Sequence, residues 1–162
     1  MIKQVLITFF VLTQIASAQN FGSMQFTNYA DDKQSAFSLT FDDGLLSHSE
    51  NVRPILNQYG FKGTFYVLPP YLTETLPGIW RYGTWPEFQA MALEGHEIGS
   101  HTMNHDTLAT LPWGDINTEG TLLYELYQSK IFIEQKIPQA KCISLNYPYT
   151  LHNSFVDSAA SL

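Results

Sequence analysis

Cysteine is nearly missing from this chain. Cys142 stands alone among 162 residues, which excludes an intramolecular disulfide framework. Basic side chains are scarce as well: eight Lys and Arg face 15 Asp and Glu, for a formal net charge of −7. Nucleic acid and anionic membranes both call for a basic face, so neither is an expected partner, and a neutral or polar substrate fits better. Long apolar runs are lacking too. The segment VLITFFVL at 5–12 is too short to cross a bilayer. No internal repeat, low-complexity tract or linker follows it, so nothing divides the remainder.

That short apolar run fits an export leader instead. Lys3 supplies the positive start, 5–12 the apolar middle, and Ala16-Ser17-Ala18 the small-residue pattern before a cleavage point. The expectation is cleavage before Gln19, a secreted or periplasmic protein, and one domain over residues 19–162. Loss of Lys3 makes that domain more acidic still. Within it Cys142, in KCISLNYPY, reads as a buried apolar filler, with Lys141 its one basic neighbour in sequence.

Periodicity predicts alternating strands and helices. SAFSLTF (35–41) alternates Phe37, Leu39 and Phe41 as a strand does. Ser47 and Glu50 have capping-box spacing, followed by Val52, Ile55, Leu56 and Tyr59 on one helical face and a stop at Gly60. GTFYVL (63–68) is a second strand, closed by Pro69-Pro70. Thr84 and Glu87, with Pro86 between them, open a second helix ending near Gly95, and HEIGSH (96–101) is a third strand. Leu122, Leu126, Ile133 and Ile137 mark a longer helix before Pro138. CISLNYPY (142–149) is a fourth strand, and 151–162 begins a further helix. Such alternation implies parallel strands and an α/β fold.

Chemically interesting residues gather at the carboxyl ends of these strands, where α/β folds place their sites. Asp42 and Asp43 follow the first, His101 and His105 the third, Pro148 and Tyr149 the fourth. Adjacent carboxylates repel unless a proton or cation lies between them, and Gly44 frees the backbone to turn both toward one spot. Two histidines at i and i+4 share one face of a helix or helical turn. One carboxylate with two imidazoles is a common ligand set for Zn²⁺ in hydrolases, and it suits other divalent first-row metals.

TFDDG (40–44), SHTMNH (100–105) and YPY (147–149), with GFKGTFYV and EGHEIGSHT, resemble the polysaccharide deacetylases of the NodB-homology group over residues 37 to about 150. The resemblance implies an incomplete, distorted (β/α) barrel that removes acetyl groups from N- or O-acetylated glycans such as chitin, peptidoglycan or xylan. It implies that Asp43, His101 and His105 ligate a divalent metal, zinc first and cobalt second. Asp42 becomes the general base that takes a proton from the attacking water, and the Tyr149 backbone N–H becomes an oxyanion donor.

Two departures from the family pattern stand out. Asn146 sits where family members usually carry an arginine that orients the base, and Thr150 where glycine is usual. The family's later leucine-x-histidine segment, source of its general acid, has no counterpart. The chain therefore reads as a C-terminally truncated deacetylase, catalytically weak or reduced to a metal- and glycan-binding remnant in the alternative reading. His152 is a weak substitute for the acid. Tyr29, Trp80, Tyr82, Trp85 and Trp113 are candidate sugar-stacking residues, with Trp80 and Trp113 foremost. His48 and His96 read as structural or exposed, and Asp106 as the polar start of a turn.

Overall fold

The computed structural model describes residue 29 and residues 32–76 and 81–161. The expected leader (1–18) and Trp80 lie outside them. The chain divides into two units, 1–36 and 37–162. In the first, Tyr29 and Lys33 form an antiparallel bridge. All that follows concerns the second.

Its centre is a three-stranded parallel sheet ordered β1-β2-β3, from Thr40–Phe41, Thr64–Val67 and Glu97–Ser100. Thr40 pairs with Thr64 in the register, and Thr64 with Glu97. β1 is shorter than the alternation at 35–41 predicts. Phe37 is 86% exposed, so its ring has no core to enter and the pairing is confined to the last two residues. The expected fourth strand reduces to a parallel bridge between Ser100 and Leu145. It meets β3 only at that strand's last residue, where the Ser100 N–H donates to Ser144 O and the Asn146 N–H to Ser100 O. Further back, the Cys142 N–H donates to the Glu134 side chain rather than to a strand.

The helices are α1 (Arg53–Gln58), α2 (Trp85–Leu93), α3 (Leu122–Lys136) and α4 (Ser154–Ala160). α2 opens as its sequence predicts, with Glu87 accepting from the Thr84 N–H at 2.7 Å. α4 begins at Asn153, whose side chain accepts from the N–H groups of Phe155 and Val156. The approach to α1 differs from expectation. Ser47 makes no capping bond, because residues His48–Val52 form a π-helical turn. In α1 Leu56 is the buried residue, while Ile55 and Tyr59 are 56% and 66% exposed.

One core fills the space between sheet and helices with Phe65, Val67, Trp85, Phe88, Met91, Ile98 and Ile133. A second, built from Leu108, Leu122, Leu126, Val156 and Ala159, holds α4 against α3. Cys142 lies in the first core, where burial pushes its thiol up to about 11. It is inert filler, as its surroundings in sequence suggest.

Candidate metal centre

β1 delivers Asp42 and Asp43 to the end of the sheet, and the backbone then turns sharply. Asp43 has φ 74° and Gly44 φ 70°, two successive left-handed residues. β3 delivers His101 to the same end, with the His101 N–H donating to Val67 O on β2. The two histidines do not share a helix. The chain from 101 to 105 is a loop in which Thr102 has φ 71° and His105 φ 63°. These two reversals, rather than helical spacing, bring the rings together edge to face, with centroids 4.8 Å apart.

Asp43 Oδ1 lies 3.6 Å from His101 Nε2 and 3.7 Å from His105 Nε2. One ligand atom from each of the three lies within 4.8 Å of the others. A tetrahedral ion with bonds of about 2.1 Å separates its ligand atoms by about 3.4 Å, so the donor set and its spacing fit a divalent first-row cation. The tautomers suit it as well. His101 Nδ1 lies 2.8 Å from the Asn146 carbonyl, which can only accept, so Nδ1 carries the proton and Nε2 presents a lone pair. Burial, followed by the neighbouring His101, lowers the pKa of His105, with Asp43 and Asp42 opposing. It is thereby kept in the neutral form a ligand needs.

Asn146 touches the site twice. Its backbone carbonyl holds His101, while its amide Nδ2 donates to Asp42 Oδ1 at 2.7 Å. Where the resemblance leads one to expect an arginine, a neutral donor contacts Asp42. The Tyr149 ring stands edge-on to His105, with centroids 4.7 Å apart. Tyr149 and Thr150 have φ 58° and 57°, so the glycine position occupied by Thr150 is a left-handed one that a β-branched residue fills under strain. Asp43, Thr102, His105, Tyr149 and Thr150 account for most of the non-glycine residues at positive φ among those described. Backbone strain in this molecule is therefore concentrated at one place.

Of the other candidates, Tyr82 and His48 lie near enough to the centre to feel the Asp43 charge, and the rest serve elsewhere. His152 Nδ1 pairs with Asp157 at 3.0 Å and its ring stacks on Tyr147. His48 and His96 are both buried beside Phe65. Trp85 is a core residue, 1% exposed, so it cannot stack on a sugar. Tyr82 packs on Tyr71, and Trp113 on Phe155 against the second core. Sequence reasoning missed Glu125, which is wholly buried on α3 and hydrogen-bonded to the loop between the two histidines. The signal was a carboxylate standing between Leu122 and Leu126 on an apolar face.

The polysaccharide deacetylase family model matches residues 29–162, and the chain belongs to that family. A chitin deacetylase from a Pestalotiopsis species is 36% identical over 87 residues, covering 54% of this chain and 27% of that protein. A gellan lyase from a Bacillus species is 33% identical over 132 residues, 81% of this chain but 5% of that protein. Among solved structures, the Streptococcus pyogenes deacetylase PplD in complex with acetate superposes with a TM-score of 0.63 at 22% identity, over 76% of this chain and 50% of that one. The fold is the α/β fold of NodB-type deacetylases, present as an incomplete barrel. The chain spans about half the length of that structure and less of the two curated relatives.

Proposed function

We propose that this chain is a metal-dependent hydrolase that removes acetyl groups from an N- or O-acetylated polysaccharide of the chitin, peptidoglycan or xylan kind. The convergence of Asp43, His101 and His105 on one point carries the reading. Those three residues would hold the ion, zinc first and cobalt second. Once bound, the ion would lower the pKa of a water and polarise the acetyl carbonyl. Asp42, exposed beside the ligands and steadied by the Asn146 amide, accepts the proton of the attacking water. The Tyr149 backbone N–H donates to the developing oxyanion, an interaction typically worth a few kcal/mol in such sites. In this reading residues 1–18 are an export leader removed after Ala18, and residues 19–162 work outside the cytoplasm.

A second reading, binding of metal and glycan with little turnover, is favoured by the fate of the histidines. Of the chain's five, two serve the proposed centre, His48 and His96 are buried, and His152 is engaged by Asp157. None beyond the proposed ligands is both exposed and unpaired, as protonation of the leaving amine or alcohol would require. Purified 19–162, loaded with Zn²⁺ or Co²⁺ and given acetylated oligosaccharides, should release acetate slowly. Robust turnover would defeat the second reading. Asp43→Ala should abolish stoichiometric metal; unchanged metal content in that variant would remove the basis of both readings.

A further inference from the structure

α3 turns a carboxylate toward the sheet end rather than toward water. Glu125 exposes none of its surface. Its Oε2 accepts from the backbone N–H groups of Met103 at 3.1 Å and Asn104 at 2.7 Å, and its Oε1 accepts from Asn104 Nδ2 at 2.8 Å. All three donors belong to the loop whose ends are His101 and His105. One turn further along α3, the Ser129 hydroxyl lies 2.6 Å from that of Ser100, which in turn accepts from the Thr102 N–H. The Thr102 hydroxyl then accepts from the His105 N–H at 3.2 Å. The loop is therefore held from α3 directly at Met103 and Asn104 and through Ser100 at Thr102, which in turn holds His105.

A wholly buried carboxylate is costly to keep unless it is hydrogen-bonded, and here the loop from 101 to 105 supplies three donors. Burial raises the pKa of this carboxyl, with the Asp106 charge adding to it and the Asn104 donors opposing. The loop, for its part, has two left-handed non-glycine residues, an arrangement that persists only when its surroundings enforce it. Oriented acceptors at 103 and 104 do so. Without them the Met103 and Asn104 N–H groups lose their partners and the reversal that aims His105 at Asp43 loses its support.

We infer that Glu125 is a positioning residue for the metal centre, acting through Met103 and Asn104 to hold His105 in register with Asp43 and His101. The inference rests on the reading that those three residues bind an ion. The test is Co²⁺ binding followed by its visible absorption and by competition with a chromophoric chelator, which needs no turnover. If the unaltered chain takes up no Co²⁺, the metal reading itself has failed. If it binds, Glu125→Met, which fills the volume without accepting a hydrogen bond, should weaken affinity by about 10- to 100-fold, the usual range for groups that support ligands from behind. Glu125→Gln can still accept from both backbone N–H groups, with Asn104 turning its amide oxygen to the new donor, and should stay within about threefold.

Ile133→Ala, in the core on the same helix, controls for stability. It should lower the urea midpoint and leave Co²⁺ affinity and spectrum unchanged. Equal affinity in the unaltered chain and Glu125→Met overturns the inference, and so does an Ile133→Ala variant that loses affinity in parallel with its stability. Should Glu125→Met fail to fold, Glu125→Asp, one methylene short of the loop, should show at least a tenfold loss. Unchanged affinity there would overturn the inference equally.

Discussion

Two glycines with nearly the same backbone angle separate the cost of conformation from the cost of space. Gly44 follows Asp43 with φ +70°, and Gly60 ends the α1 segment with φ +71°. An alanine at either must adopt the left-handed region, at about 1–2 kcal/mol. It regains about 0.4–1 kcal/mol because the unfolded chain has less entropy to lose. A Cβ at Gly60 meets nothing within 4 Å, so Gly60→Ala should destabilise by about 1 kcal/mol. A Cβ at Gly44 lies 3.2 Å from Leu72 Cδ2 and 3.3 Å from Val67 Cγ1, both on well-buried side chains. Crowding of that kind adds about 1–3 kcal/mol, so Gly44→Ala should cost about 3 kcal/mol in all. Urea unfolding of the metal-free protein, read by tryptophan fluorescence and circular dichroism, measures both. Equal destabilisation of the two variants would refute the packing argument. A neutral Gly44→Ala would refute the conformational one as well.

Two further outcomes follow from the same geometry. Asn146→Ala removes the amide hydrogen bond to Asp42 but keeps the backbone carbonyl that holds His101. The loss of one hydrogen bond to a charged group, about 1.5 kcal/mol, should lower kcat for acetate release about tenfold while KM and metal affinity hold steady. A matching fall in metal affinity would show the two contacts to be inseparable. The second outcome concerns pH. His48 and His96 are buried, His48 Nδ1 and His96 Nε2 have no partner, and burial is the main cause lowering both pKa values below 6.5. The unfolded chain then takes up protons that the folded one refuses as pH falls below 6.5. Their contribution to stability is complete above 6.5 and is lost as pH drops from there through the folded values. His105 acts in the same direction in the metal-free chain, whereas Glu125, with its pKa raised from 4.5, acts against them. With three histidines against one carboxyl, the urea midpoint of chelated protein should fall between pH 7.5 and 5.5. A rising midpoint would refute the assignment of neutral buried histidines.

The parts of the site legible in the sequence are those that local rules control. Apolar alternation before Asp42 marks one strand end and the short HEIGSH segment before His101 another, and parallel strands set their carboxyl ends along one edge of the sheet, here with β2 between β1 and β3. That much places a carboxylate pair and a histidine pair at the same end of the sheet without coordinates. The apolar face at Leu122, Leu126 and Ile133 likewise gives α3 its place, and Thr84 with Glu87 gives α2 its start. What was not legible depends on backbone reversals or on distant partners. The i, i+4 spacing of His101 and His105 points to a shared site for the wrong reason, since a loop with two left-handed residues does what a helix would have done. Periodicity cannot report a π-helical turn, and it places Ile55 and Tyr59 on a buried face where the fold leaves both exposed.

Asn146 shows the same limit from the other side. Read as a letter in a motif, it is a lost arginine, and the base beside it looks unsupported. In the fold, the Ser100–Leu145 bridge sets residue 146 across the sheet end from residue 42, where even a short amide reaches the carboxylate. An arginine there would bring a charge as well as a hydrogen bond, and a charged partner holds a carboxylate more firmly ionised than a neutral one. The substitution therefore keeps Asp42 oriented while giving up part of its electrostatic support. It separates two properties that the family's arginine would supply together. Geometry at this centre is secured by backbone, through the Asn146 carbonyl on His101 and the Met103 and Asn104 N–H groups on Glu125. The electrostatic support of Asp42 is left to a single neutral side chain.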